Sequence, residues 1–199
     1  AALRLRPGEQ VRIAAYAAAP PRPPTAVAPS RSIPAAGGVL RLMRLYLAGP
    51  DVFRPDARAR ADAARALCAS RGHGALLPLD NEATTAAAIF AANVALIRSA
   101  DAVIADLNPF RGSEPDSGTA WEVGFALALG KPVVGYLTDI RPQAEKLLAT
   151  APGSGPSALP PRDPNGFLIE HFGLPVNLML AVPCRIVAGG LAEALAVVD

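Results

Sequence analysis

From Met43 onward, short apolar runs alternate with longer stretches in which apolar residues recur at helical spacing. Arg44 to Ala48 reads as a first strand, closed by Gly49-Pro50. Pro55 suits the first position of a helix that continues to about Ser70 and stops at Gly72. Ala75 to Leu79 is a second strand, and Thr84 or Thr85 caps a helix running to Ser99. The apolar run from Ala102 to Leu107 is a buried third strand, followed by a polar loop of turn formers from Asn108 to Gly118. A helix from about Thr119 to Leu129 stops at Gly130, ahead of Pro132. Val133 to Leu137 and Arg185 to Val187 supply a fourth and a fifth strand, and Leu191 to Val198 a closing helix. Ala151 to Pro164 reads as a flexible Gly/Pro/Ser loop.

Strands that alternate with helices require right-handed crossovers and a parallel sheet covered on both faces. The expected fold is a flavodoxin-like or Rossmann-like three-layer α/β sandwich with a five-stranded parallel sheet. Ligands in such folds bind beyond the carboxyl ends of the strands. The residues there are Gly49-Pro50-Asp51, Asp80-Asn81-Glu82, Asp106-Leu107-Asn108 and the loop leading to Glu122. That crevice is rich in carboxylates and amides. It contains neither GxGxxG nor GxxxxGK[ST], so dinucleotide and P-loop chemistry lack their phosphate cradle.

Composition narrows the class further. With 51% hydrophobic and 18% charged residues among 199, the chain can bury one sizeable core. No apolar run reaches the roughly 18 to 20 residues of a membrane span, so no membrane association is expected. Cys68 and Cys184 form neither a disulfide framework nor a CxxC metal motif, which points to the reducing cytoplasm. His73 and His171 lack metal-ligand spacing, and no metal site is expected. The net charge of +2 is the sum of two opposed parts: residues 1–42 carry +5 (six Arg against Glu9) and the rest −3 (13 basic, 16 acidic). The body therefore has no basic excess to recruit nucleic acid. Residues 1–42, broken by six prolines between Pro20 and Pro34, read as a disordered extension. A start assigned upstream of Met43 explains it best, with a targeting peptide as the alternative. The folded domain is expected over 43–199.

The chemistry concentrates in Asn108 to Phe125, NPFRGSEPDSGTAWEVGF. Asp116 and Glu122 flank a helix start, where the helix dipole and amide donors favour ionised carboxylates. An ionised carboxylate against an anomeric carbon can act as a nucleophile. Local pattern leaves another role open: Thr119 followed by Glu122 matches a capping box, and Asp116 a turn or cap residue. Tyr46 alone reads more readily as core and Asn177 as a helix cap, while Trp121 and Phe110 either stack on a base or pack.

The sequence closely resembles the nucleoside 2-deoxyribosyltransferase family from Met43 to about Ala181. The resemblance rests on RLYLAGPDVF, PLDNE, IFAANVALIRSADAVIADLNPFRG, DSGTAWEVGFALALGKPV and DPNGFLIEHFGLPVNLML, in that order and spacing. It implies that Glu122 is the nucleophile, that Asp116 holds sugar hydroxyls, and that Tyr46 orients Glu122. Gly49 and Asp80 fall among the substrate-binding positions, and Asn177 on the asparagine that reaches into a neighbouring subunit's site, hence a homo-oligomer. Two positions depart from the family. Glu82 stands where a base-contacting amide is usual, and Asn93 where some members carry an aspartate that exchanges a proton with the base. An amide supplies no proton, which leaves Asp80, Glu82, Asp51 or water.

The implied reaction moves 2-deoxyribose from one nucleobase to another by double displacement, through a covalent deoxyribosyl-glutamate. Its partners are a deoxynucleoside and a free nucleobase, and it uses no cofactor. Two alternatives share the scaffold. One is an N-glycosidase that hydrolyses nucleosides or nucleoside 5′-monophosphates, with Arg111 and Ser113 as candidate phosphate contacts. The other is a non-catalytic nucleotide-sensing module.

Overall fold

The computed structural model describes residues 42–150, 162–163 and 165–198. The expectations for residues 1–41, and for the greater part of the 151–164 loop, lie outside the described residues. Five strands, β1 (Arg44–Ala48), β2 (Gly74–Leu76), β3 (Ala102–Asp106), β4 (Val133–Leu137) and β5 (Arg185–Ala188), form one sheet in the order β2-β1-β3-β4-β5. Every pairing is parallel, with Tyr46 opposite both Leu76 and Val103, and Asp106 opposite Tyr136. This is the flavodoxin-like arrangement. The helices are α1 (Ala57–Ser70), α2 (Ala86–Ser99), α3 (Ser117–Ala128), α4 (Gln143–Thr150), α5 (Leu178–Ala181) and α6 (Leu191–Leu195).

The strict two-residue alternation of the strands divides the core in two. Tyr46, Ala48, Val103, Ala105, Val133 and Leu137 pack with Ile97 of α2, Val123 and Ala126 of α3, and Leu180 of α5. Leu45, Ala102, Ile104 and Val134 pack on the other face with Cys68 of α1 and Ala194 and Leu195 of α6. Tyr46 and Glu122 therefore meet on the α2/α3 face.

Several boundaries differ from the sequence reading. Helix α1 begins at Ala57 behind Asp56, so Pro55 lies in the turn before the helix, where the Ala57 amide reaches the Arg54 carbonyl. Strand β2 ends at Leu76 because Pro78 offers no amide to a ladder and the chain tightens into a 3-10 turn, Pro78–Asp80. Helix α6 stops at Leu195 rather than Val198. Helix α4 was not anticipated, although the segment QAEKLLAT after Pro142 consists largely of good helix formers. Tertiary bonds hold it: the Gln143 amide donates to the Leu174 carbonyl at 2.7 Å, and Lys146 Nζ to the Pro175 carbonyl at 2.5 Å.

At Gly135 in β4, a Cβ would lie 2.5 Å from Leu107 Cδ1 and 3.1 Å from Ile186 Cδ1. Leu107 is fully buried, so its side chain would have to repack among its neighbours. Gly135→Ala should therefore cost about 1–3 kcal/mol of stability by overpacking. Urea unfolding checks this, and an unchanged midpoint would show that the core yields there.

Candidate active site

The β3–α3 loop enters its helix through Asp116. This residue is the N-cap of α3, and its Oδ2 accepts from the Thr119 amide at 2.9 Å and from Thr119 Oγ1 at 3.1 Å. The cap role thus falls to Asp116, and the Thr119–Glu122 capping box does not form. Gly118 makes room for this cap, since a Cβ there would sit 3.0 Å from Asp116 Oδ2. Freed from capping, Glu122 in the second turn of α3 points towards the sheet.

Three elements converge on its carboxylate. Tyr46 of β1, with no exposed surface, donates its hydroxyl to Glu122 Oε1 at 2.6 Å. Asn93 of α2 donates Nδ2 to the same oxygen at 3.4 Å. Glu122 Oε2 accepts no hydrogen bond from the described residues, and the residue is only partly buried. One oxygen is anchored and the other is open. Asn93 Oδ1 is a sealed acceptor with no partner among the described residues.

Burial is the main influence on Glu122 and pushes its pKa up to about 7; Asp116 nearby adds to the rise, while the bonds from Tyr46 and Asn93 oppose it. This corrects the expectation of a carboxylate held ionised by the helix start. The dipole acts within the first turn, and Asp116 already occupies the amide there. Desolvation and a like charge then win. The Tyr46 hydroxyl is itself driven up, first by burial and then by Glu122, so it remains a donor throughout the working pH range.

The other expected site residues are placed as follows. Gly49 ends β1 beside β3, and a Cβ on it would lie 3.1 Å from Asp106 Cβ. Asp80 closes the 3-10 turn by accepting from the Leu77 amide at 2.8 Å, and it also pairs with Arg65. Asp51 is held by Arg54 at 3.0 Å and by Arg60 at 3.7 Å. Glu82 is exposed on the way from β2 to α2. Asn177 caps α5 through the Met179 amide at 3.0 Å and donates Nδ2 to Glu170 Oε1 at 2.8 Å, making no hydrogen bond to Glu122. Within one chain, hydrogen bonds and charge contacts join Tyr46, Asn93, Asp116 and Glu122, and none among the described residues links Asp80, Glu82 or Asn177 to them.

Two aromatic groups rim this end of the sheet. Trp121 and Phe125 stack at 5.2 Å beside Phe90. Phe53 and Phe110 stack at 5.4 Å, with the Arg111 guanidinium 4.9 and 4.7 Å from their ring centroids. The second group joins loops more than 50 positions apart in the chain, and no local pattern announces it. Its sequence signals are Phe110, read as a stacking or packing residue, and Arg111, considered as a phosphate contact; the Arg111 guanidinium lies over both rings and its backbone is left-handed, φ 52°.

The sequence profile of the family described as nucleoside 2-deoxyribosyltransferase matches residues 45–179. The chain belongs to the nucleoside 2-deoxyribosyltransferase family. A 2-desoxiribosyltransferase from Leishmania mexicana is 42% identical, with 78% of this chain and 96% of that one covered and a TM-score of 0.66. A protein of Schizosaccharomyces pombe that is named as uncharacterized is 31% identical over 168 residues, covering 74% of this chain and 80% of that protein. Membership makes the chain an enzyme of the nucleoside deoxyribosyltransferase type, with nucleosides and nucleobases as the implied substrates. The matched span contains the whole Glu122 cluster. No helix of the described residues is long and apolar enough to cross a membrane.

A Glu122 pKa raised from 4.5 to about 7 means that the folded state holds this proton more tightly than the unfolded chain does. The associated stability is complete below pH 4.5 and lost as pH rises through about 7, a difference of about 3 kcal/mol. Glu122→Gln abolishes the titration. Relative to the wild type, this variant should therefore gain stability between pH 4 and pH 8, measured by urea unfolding at both. Parallel pH profiles for the two proteins would refute the assignment.

Proposed function

We propose that this enzyme transfers 2-deoxyribose between nucleobases with Glu122 as nucleophile. The observation that carries the reading is the asymmetry of one carboxylate, with Oε1 fixed by Tyr46 at 2.6 Å and Oε2 open. Oε2 attacks C1′, the C1′–N bond breaks, and its electron pair leaves with the base. A second base then attacks C1′ through its ring nitrogen from the opposite face, the C1′–O bond breaks and returns its electron pair to the carboxylate, and the ring N–H proton of this base goes back to the donor that served the first one. Two inversions give net retention. Asp116, whose Oδ2 is committed to Thr119, keeps Oδ1 for a sugar hydroxyl.

The departing base needs a proton. Asn93 carries none to give, Asp80 is engaged by Arg65 and the Leu77 amide, and Asp51 is engaged by Arg54 and Arg60. This leaves Glu82 or water. Asn177 serves an adjacent subunit of a homo-oligomer, a role in keeping with its lack of contact with Glu122 in its own chain. Two free, buried cysteines are in keeping with a cytoplasmic enzyme of nucleotide salvage.

Purified protein given deoxyinosine or thymidine with free adenine or cytosine should form a new deoxynucleoside, resolved by chromatography. Free base alone would favour hydrolysis, and binding without turnover a sensing role. Glu122→Ala should abolish the product, and retained turnover would remove Glu122 as nucleophile. Activity should rise with pH through about 7 as Glu122 ionises. Tyr46→Phe removes a donor that holds this pKa down, so the rise should move to higher pH and the rate fall about 10- to 100-fold. A pH–rate profile coinciding with the wild type would exclude Tyr46 from controlling the nucleophile.

A further inference from the structure

Asp116 is delivered to the site by a loop with little structure of its own. Between Asp106 and Ser117 the chain belongs to no helix or strand, and from Pro109 to Glu114 it is largely exposed. Its first half is tied to the sheet edge, where Asn108 donates to Asp106 Oδ1 and accepts from the amide and hydroxyl of Thr138. Its middle folds back on itself, with the Phe110 amide on the Glu114 carbonyl at 2.9 Å. The half that leads into Asp116 is held from outside by Gln143, the first residue of α4.

Gln143 is only 7% exposed, and its Nε2 donates to Glu114 Oε1 at 2.7 Å and to the Ser113 carbonyl at 3.4 Å. Packing alone gives no reason for an amide there. A leucine or methionine would fill the same space with no polar group to satisfy, so the buried amide is explained by its hydrogen bonds. A bond to a carboxylate is among the stronger ones. Through its backbone Gln143 reaches the other way, donating to the Leu174 carbonyl at 2.7 Å, while Lys146 one turn further donates to Pro175. Just beyond Pro175, Asn177 caps α5 and is held by Glu170. Gln143 thus lies between the loop of Asp116 and the segment of Asn177, and makes no hydrogen bond to Asp116 or Glu122 among the described residues.

We propose that Gln143 is a positioning residue of the active site, holding the Asp116 loop in its sugar-binding place through Glu114. The sugar contact of Asp116 rests on the proposed function; the tether itself does not. Without the tether the loop spends only part of its time in place, and the apparent affinity for substrate falls by that fraction while chemistry in the bound complex proceeds as before. A mere folding defect does the reverse: it lowers the amount of active enzyme, hence kcat, at unchanged KM.

Gln143→Leu and Glu114→Ala should each raise the KM for deoxyinosine about 10-fold, with kcat within about 2-fold of the wild type. The two changes together should cost no more than either alone, because they remove the same bond. Glu114 is exposed, so its variant keeps the test open should Gln143→Leu fold poorly. Gln143→Glu sets two carboxylates face to face and should also raise KM; adding Glu114→Gln restores one donor and one acceptor and should bring KM back. The same changes made in Glu122→Gln should weaken deoxyinosine binding in parallel, measured by calorimetry without any chemistry. A wild type that transfers nothing overturns the proposed function and leaves this binding series to decide the role of Gln143. Unchanged KM and binding, a fall in kcat at unchanged KM, additive losses, no recovery by the reversed pair, or no binding to Glu122→Gln itself would each overturn the proposal.

Discussion

The site depends on a hydrogen bond between a strand and a helix. Tyr46 comes from the middle of β1 and Glu122 from the second turn of α3, 76 positions later, and they meet at 2.6 Å. The meeting requires three things. The pleat of β1 must put Tyr46 on the α2/α3 face, β3 must lie directly beside β1, and α3 must start early enough for its second turn to stand over the sheet. Asp116 meets the last condition by capping the helix with its Oδ2, so that Glu122 is not drawn into a capping box. A displaced helix start would rotate Glu122 away from Tyr46, since each residue turns the helix by about 100°.

Burial sets both the proton affinity of the carboxylate and its cost to the fold. In water Glu122 would be ionised well below neutrality and fully hydrated; here desolvation and Asp116 raise its pKa to about 7, against the two donors that hold it down. The protein retains a group whose charged form is unfavourable where it sits. A strongly shifted carboxylate in a partly open position is the kind of local conflict that clusters at functional sites, where stability is given up for a group held in an unfavourable environment. Tyr46 limits the conflict to one oxygen. Its hydroxyl fixes Oε1, stays protonated, and leaves Oε2 without a hydrogen-bond partner among the described residues.

The carboxyl edge of the sheet also separates two environments by little more than a backbone. Gly49 allows β1 and β3 to run so close that a Cβ would lie 3.1 Å from Asp106 Cβ. On one side stands Glu122 with its donors; on the other, Asp51, Asp106 and Tyr136 line an apolar hollow. The carboxylates that crowd this edge in the sequence are thereby sorted. Asp80 and Asp51 are taken up by arginines, and Asp116 by a helix end. Glu122 alone keeps an oxygen free beside the buried tyrosine.

Much of this was legible in the chain. The strand cores were, because four apolar residues in a row followed by turn formers admit few other readings, as in AVIADL before Asn108. So was the parallel α/β sandwich, which follows from alternation and crossover handedness. The order of the motifs made the family recognisable. Helix starts were less legible: Thr119 and Asp116 both satisfy a local capping rule, and only the packed helix shows that Asp116 wins. Helix α4 depends on bonds to Leu174 and Pro175, some 30 positions away, and left only a propensity signal. The sequence by itself determined which residues are able to do chemistry and which face of each strand they occupy, because side-chain type and the two-residue pleat are local properties. The tertiary structure alone decided which carboxylate is left free and how its proton is held, because solvation and charge neighbours depend on segments that are distant in the chain and adjacent only after folding.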